Sequence, residues 1–159
     1  MTGIRAWTLL IFLPVAGALT GCGDEGGSTT GKVTINGFTW MVDLAMTEQQ
    51  RYDGLSGREY LFEGTGMLFL YGEQQPLEFC MRGCVIPLDI AYLSSDFRVV
   101  SMHTMEVEPD LIGLKGYPSG VPARYALEVP AGELARADVR IGSLVTFSDD
   151  IPDAVKADP

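Results

Sequence analysis

From Lys32 to Ser148 the chain is broken by Gly, Pro, Asn-Gly and Ser-Asp stretches into short runs, and this punctuation most restricts what it can fold into. The runs "GMLFLY", "LEFCM", "LDIAYL", "RVVSMHTM", "RYALEV" and "SLVTFS" are rich in β-branched and aromatic residues. Each is too short for an ordinary helix and long enough for a strand. "KVTINGFTWMVDL" adds two more such runs around Asn36-Gly37, the pair that a type I′ hairpin turn favours because both positions need positive φ. Only "TEQQRYDGL" reads as a helix, with Thr47 as N-cap, Gln50 completing a capping box, and an end near Gly54. "GELARA" offers one further helical turn. The expected class is mainly β, a compact β-sandwich or barrel with one or two short helices. With 159 residues, 47% of them apolar, the chain has the length and the core material of one domain.

The first 21 residues form a separate object. Arg5 precedes "AWTLLIFLPVAGA", an apolar segment shorter than the ~20 residues a membrane span needs but suited to an export signal. "LTGC", Leu19 to Cys22, resembles the lipobox of bacterial lipoproteins, in which the cysteine becomes the lipidated N-terminus. The expected organisation is a signal peptide over 1–21, then a lipid-bearing Cys22 with a Gly/Ser/Thr linker over 22–31. The domain follows over 32–148, and a loose acidic tail over 149–159. At ~5 to 6 Å × √n the linker spans roughly 15 to 18 Å, which keeps the domain close to the bilayer. The expected location is the cell envelope, facing the periplasm or exterior, with the membrane as partner through the lipid. A net charge of −10 without a basic patch opposes nucleic-acid phosphates, so no nucleic-acid partner is expected.

"GLSGREYLFEGTGMLFLY", "FCMRGCVIPLDIAYL" and "YPSGVPARYALEVPAGELARADVRIGSLV" resemble, in order and spacing, the signature blocks of the domain of unknown function 192 family. The resemblance covers about Thr47 to Val145. It implies a compact, jelly-roll-like β fold, often exported, with no established activity. Family members usually read Phe-Trp-Met-Lys-Asn-Thr before Ile-Pro-Leu-Asp. Here Cys80 replaces the Trp, Arg82 the Lys, Gly83 the Asn and Cys84 the Thr.

Cys80 and Cys84 leave three roles open. In an oxidising compartment paired thiols tend to bridge. On a continuous strand they would lie ~13 Å apart, beyond the ~7 Å limit, but a turn at Gly83 would bring them together. A disulfide is the expectation, worth about 2 kcal/mol for so small a loop. Two buried thiols and a functional pair are the alternatives. As soft ligands, Cys80 and Cys84 with His103 and Met105 could hold Cu(I). On a strand, however, "SMHTM" turns Met102 away from the face shared by His103 and Met105. As a nucleophile Cys84 would need His103, the sole histidine, as its base. No Gly-x-Ser-x-Gly elbow and no Gly-rich phosphate loop occur.

Two carboxylates interrupt apolar strands. In "PLDIAYL" Asp89 falls on the face of Ala91 and Leu93, opposite Leu88, Ile90 and Tyr92. In "RYALEV" Arg124, Ala126 and Glu128 line up opposite Tyr125, Leu127 and Val129. An unpaired carboxylate there is costly, so Arg82 and Arg124 are the expected partners of Asp89 and Glu128. The four form either a structural ion-pair network or a recessed polar pocket. The sequence therefore points to an envelope lipoprotein with a non-catalytic binding or accessory domain and no cofactor. An envelope hydrolase or Cys-dependent transpeptidase is the alternative, and a Cu(I)-binding protein the third reading.

Overall fold

The computed structural model describes residues 30–152. The expected signal peptide and Cys22 lie outside them, as do most of the linker and the end of the tail. The chain begins with β1 (Thr30–Ile35) and β2 (Phe38–Ala45), an antiparallel hairpin turning through Asn36 (φ 52°) and Gly37 (φ 83°). Both turn residues take the positive φ that the Asn-Gly pair supplies at least cost. Helix α1 (Glu48–Asp53) follows, with Thr47 and Gln50 in the expected reciprocal capping box and Gly54 at its end.

The remaining elements are β3 (Thr65–Gln75), β4 (Glu78–Cys80), β5 (Leu88–Leu93), β6 (Val99–Met105), β7 (Gly116–Pro118), β8 (Ala123–Pro130), the single-turn α2 (Glu133–Arg136) and β9 (Val145–Phe147). Seven strands form one sheet in the order β6-β5-β8-β3-β2-β1-β9, and β4 pairs with β7 in a small second sheet. Only β2 and β3 run parallel, with α1 between them in the chain. The sheet curls until its two edges touch: Arg98 bridges Leu144, and the Val99 and Val145 N–H groups donate to the Ser143 and Phe97 carbonyls. The mainly β expectation holds, with two short helices and a curled sheet approaching a barrel.

Strand alternation gives this sheet two buried faces. Trp40, Leu68, Leu70, Ala91, Leu93, Tyr125, Leu127 and Val129 pack on the inner side of the curl. Phe69, Leu88, Ile90, Tyr92 and Ala126 pack on the other, beneath Leu55, Met81, Cys84 and Tyr117 from the covering segments. Burying each large apolar side chain contributes about 1.5–3 kcal/mol, so both faces help to hold the sheet. Two expectations change at the domain ends. Thr30 and Gly31, placed in the linker, begin β1. Ile151, placed in the tail, is buried in the inner core, and a Cβ at Gly31 would stand 2.3 Å from its side chain.

Candidate functional site

Glu128 lies mid-sheet on β8, opposite Met67 of β3 and Ile90 of β5. Its side chain therefore points to the covered outer face, two residues along from Ala126. The cover does not close over it. The segment from α1 to Ser56 comes from one side, and β4 with the turn after it from the other. Between them a cleft of about 260 Å³ runs down to Glu128, walled by Phe69, Tyr71 and Phe79, with Arg51 and Arg82 also lining it. Glu128 is only 4% exposed. Among the described residues no hydrogen bond or ion pair reaches its carboxyl group, whose oxygens face the cleft. Burial pushes its pKa up to about 8, so the group is mainly a neutral acid at pH 7.

The arginines lining the cleft are already occupied. Arg51 donates to the carbonyls of Met46 (2.5 Å) and Leu70 (3.0 Å), and its guanidinium lies 4.9 Å from the Tyr71 ring centroid. Arg82 donates to the Tyr52 carbonyl and stacks 3.8 Å over the Tyr52 ring. The Tyr71 hydroxyl is raised mainly by burial, with the Arg51 charge opposing and Glu128 adding to the shift.

Of the four residues expected to associate, the structure brings Glu128 and Arg82 into one cleft and separates the others. Asp89 pairs in register with Val129, so it lies on the opposite face of the sheet from Glu128. Its partners are not arginines. The carboxylate accepts from Thr104 Oγ1 (2.7 Å) and from the backbone N–H groups of Gly132 (2.8 Å) and Leu134 (3.2 Å), tying the α2 turn to the sheet. Arg124 stands outside the cleft, its Nε donating to the Tyr71 carbonyl at 3.4 Å.

The Gly83 turn forms as expected, with Gly83 at φ 66° and the Cys84 N–H donating to the Met81 carbonyl at 3.1 Å. The cysteines themselves are free rather than bridged. Cys80 is exposed at the end of β4, and Cys84 is turned into the outer core. Both line the cleft. The proposed Cu(I) set does not assemble around them. His103 sits between the Tyr92 and Tyr117 rings, its Nε2 2.8 Å from the Pro118 carbonyl oxygen, and Met105 is fully buried. Among the described residues no group of three or more His, Cys, Asp and Glu side chains could hold a metal ion.

Sequence reasoning missed two things. Arg51, Tyr52 and Tyr71 enter the cleft because distant segments fold over β8, and no local pattern marks that. Glu133, read only as part of a helical turn, is 2% exposed and joins a buried network. It accepts from Trp40 Nε1, the Gly64 N–H (3.0 Å) and Arg136 (2.8 Å).

A family profile described as DUF192, an uncharacterized ACR, matches residues 31–147. Among solved structures the chain is similar to a candidate transcription regulator from Sinorhizobium meliloti 1021. The TM-score is 0.68 at 29% identity, over 77% of this chain and 97% of that one. It is also similar to a protein of unknown function from Novosphingobium aromaticivorans DSM 12444, with a TM-score of 0.65 at 30% identity, over 74% and 83% of the two chains. No curated protein matches it.

Proposed function

Because the chain belongs to the DUF192 family, which names no reaction, we propose from its own residues that it is an envelope lipoprotein whose domain binds a small ligand in the cleft over Glu128. The observation that carries the binding reading is the Glu128 carboxyl itself, nine-tenths buried, without a partner, and facing open space. An acid that meets solvent only through the cleft, with no protein partner, presents its hydrogen-bonding capacity to whatever enters, and a ligand that bonds it gains that interaction in a largely buried setting. Aromatic walls with a few convergent polar groups are the usual composition of a small-molecule site. The anchor rests on the "LTGC" segment ahead of Thr30. The rim of the domain near β1 would then sit within a short tether of the bilayer.

The rival chemistries find less support. Acid/base hydrolysis by Asp89 and Glu128 needs both carboxylates on one substrate, and they occupy opposite faces. A Cys84 nucleophile based on His103 lacks that histidine in its cleft. Regulation of transcription, the description of the Sinorhizobium relative, fits poorly with a charge of −10, which repels DNA.

Two measurements test the proposal. Metabolic labelling with a tagged fatty acid should mark the wild type, and Cys22→Ala should lose the label and accumulate as precursor; equal labelling would remove the anchor. A thermal-shift screen of small polar metabolites on the full chain should yield ligands whose stabilisation is lost in Glu128→Gln. Ligands that stabilise both proteins equally would place the binding elsewhere.

A further inference from the structure

The binding proposal makes no use of Cys80 or Cys84, yet both thiols stand in the same cleft as the unpartnered carboxyl. Their accessibility differs sharply. Cys80 is exposed at the end of β4, whereas Cys84 is 6% exposed within the outer core. The turn that joins them is fixed from both sides: the Gly83 N–H donates to the Leu111 carbonyl and the Gly57 N–H donates to the Gly83 carbonyl, each at 2.8 Å. We infer that Cys80, Cys84 and Glu128 form a thiol–disulfide exchange site for low-molecular-mass disulfides, in which Cys80 attacks, Cys84 resolves and Glu128 serves Cys84 as base.

The division of labour follows from exposure. Only a thiolate attacks a disulfide, and only Cys80 is open to an incoming molecule. Its sulfur displaces one half of the substrate: the substrate S–S bond breaks, a Cys80–S–S–R mixed disulfide forms, and one thiolate leaves. Cys84 then gives its proton to the Glu128 carboxylate and attacks the Cys80 sulfur. The mixed disulfide breaks, the Cys80–Cys84 bond forms, and the second thiolate leaves. Two protein thiols are oxidised and one disulfide is reduced to two thiols, so electrons balance without a further reactant.

The second step needs a base. Burial, then the charges of Glu128 and Cys80, push the Cys84 thiol up to about 11, while Arg82 opposes the shift. Such a thiol is almost wholly protonated at neutral pH. Glu128, at about 8, still offers a carboxylate fraction of roughly one tenth at pH 7. The substrate half held on Cys80 must leave Cys84 a path to the Cys80 sulfur within a cleft of about 260 Å³, which favours a small disulfide.

The test uses the full chain in detergent, reduced and freed of reductant, with the chromogenic disulfide dithiobis(nitrobenzoate) as probe. Peptide mass mapping keeps Cys22 apart from the pair. Wild type should release two thionitrobenzoate ions per pair and end with a Cys80–Cys84 bridge. Cys84→Ser should stop after one release, holding the mixed disulfide on Cys80. Glu128→Gln should still reach the mixed disulfide on Cys80 but slow the second release roughly 100-fold relative to its own first, with a wild-type far-ultraviolet circular dichroism spectrum reporting an intact fold. Stable mixed disulfides on both cysteines of the wild type, or an inert Cys80, would overturn the exchange site. An unchanged second release in Glu128→Gln would remove the base from it.

Discussion

Replacing Glu128 by Gln tests the physical state of the cleft most directly. The folded protein raises this carboxyl from its ordinary 4.5 to about 8. Below pH 4.5 folded and unfolded chains both hold the proton, and the side chain contributes no pH dependence. Between about 4.5 and 8 the unfolded chain loses the proton while the folded chain keeps it, so stability falls as pH rises. Above about 8 the loss is complete. At about 1.4 kcal/mol per pH unit it amounts to about 5 kcal/mol, with about 3 kcal/mol already lost at pH 7. Gln has nearly the same shape and no proton to lose. Relative to wild type, Glu128→Gln should therefore gain stability steadily with pH, whatever constant offset its amide introduces. Tyr71, Cys84 and Tyr92 are raised chiefly by burial and in part by the Glu128 charge, which keeps them protonated in the fold over most of this range, so they add little to the difference. Urea denaturation of the two proteins at pH 5, 7 and 9 measures it. A difference that stays flat across this range would mean that Glu128 is ionised and satisfied in the fold, and the account of an unpartnered acid would be wrong.

Three further substitutions probe the surrounding frame. Asp89→Asn should destabilise the domain by about 1–3 kcal/mol in urea melts, because it weakens charged hydrogen bonds to Thr104 and the α2 turn. Glu133→Ala should cost more, about 2–4 kcal/mol, because it leaves the buried Trp40 Nε1–H and the Gly64 N–H without their acceptor, while Arg136 keeps Glu63. Its effect should appear as an altered Trp40 environment in near-ultraviolet circular dichroism as well as a lower midpoint. Gly66→Ala should cost about 1–3 kcal/mol by overpacking, since its Cβ would lie 2.3 Å from the Glu128 carbonyl oxygen. Because that contact is backbone, the same change should also disturb ligand binding in the cleft, measurable by loss of the thermal shift.

What the sequence made legible was local. The Asn36-Gly37 turn, the Thr47–Gln50 cap and the strand runs each depend on neighbours a few residues apart. Alternation along "LDIAYL" and "RYALEV" correctly put Asp89 with Ala91 and Leu93, and Glu128 with Ala126. What it could not supply was register between distant strands. Leu88 opposite Pro130 brings Asp89 to the turn at Gly132, so backbone N–H groups satisfy it and no arginine is needed. Arg82 likewise meets Tyr52, thirty positions away, instead of a carboxylate. The cleft exists only because segments on either side of β3 fold over β8. The strand β7 was also missed, since "GYP" has too few residues to announce a strand without its partner β4.

The contact between Arg98 and Leu144 has a consequence for how copies of this protein treat one another. A seven-stranded sheet left open would present unpaired N–H and C=O rows at both margins, each a template on which a second chain could add a strand. Here the residues around β6 and β9 satisfy one another, so at that seam the two margins are spent internally. Crowded copies would meet through side chains there and not through exposed backbone. Loosening that seam, by a proline at Val99 or Val145 that removes a donated N–H, would leave the domain prone to edge-to-edge assembly.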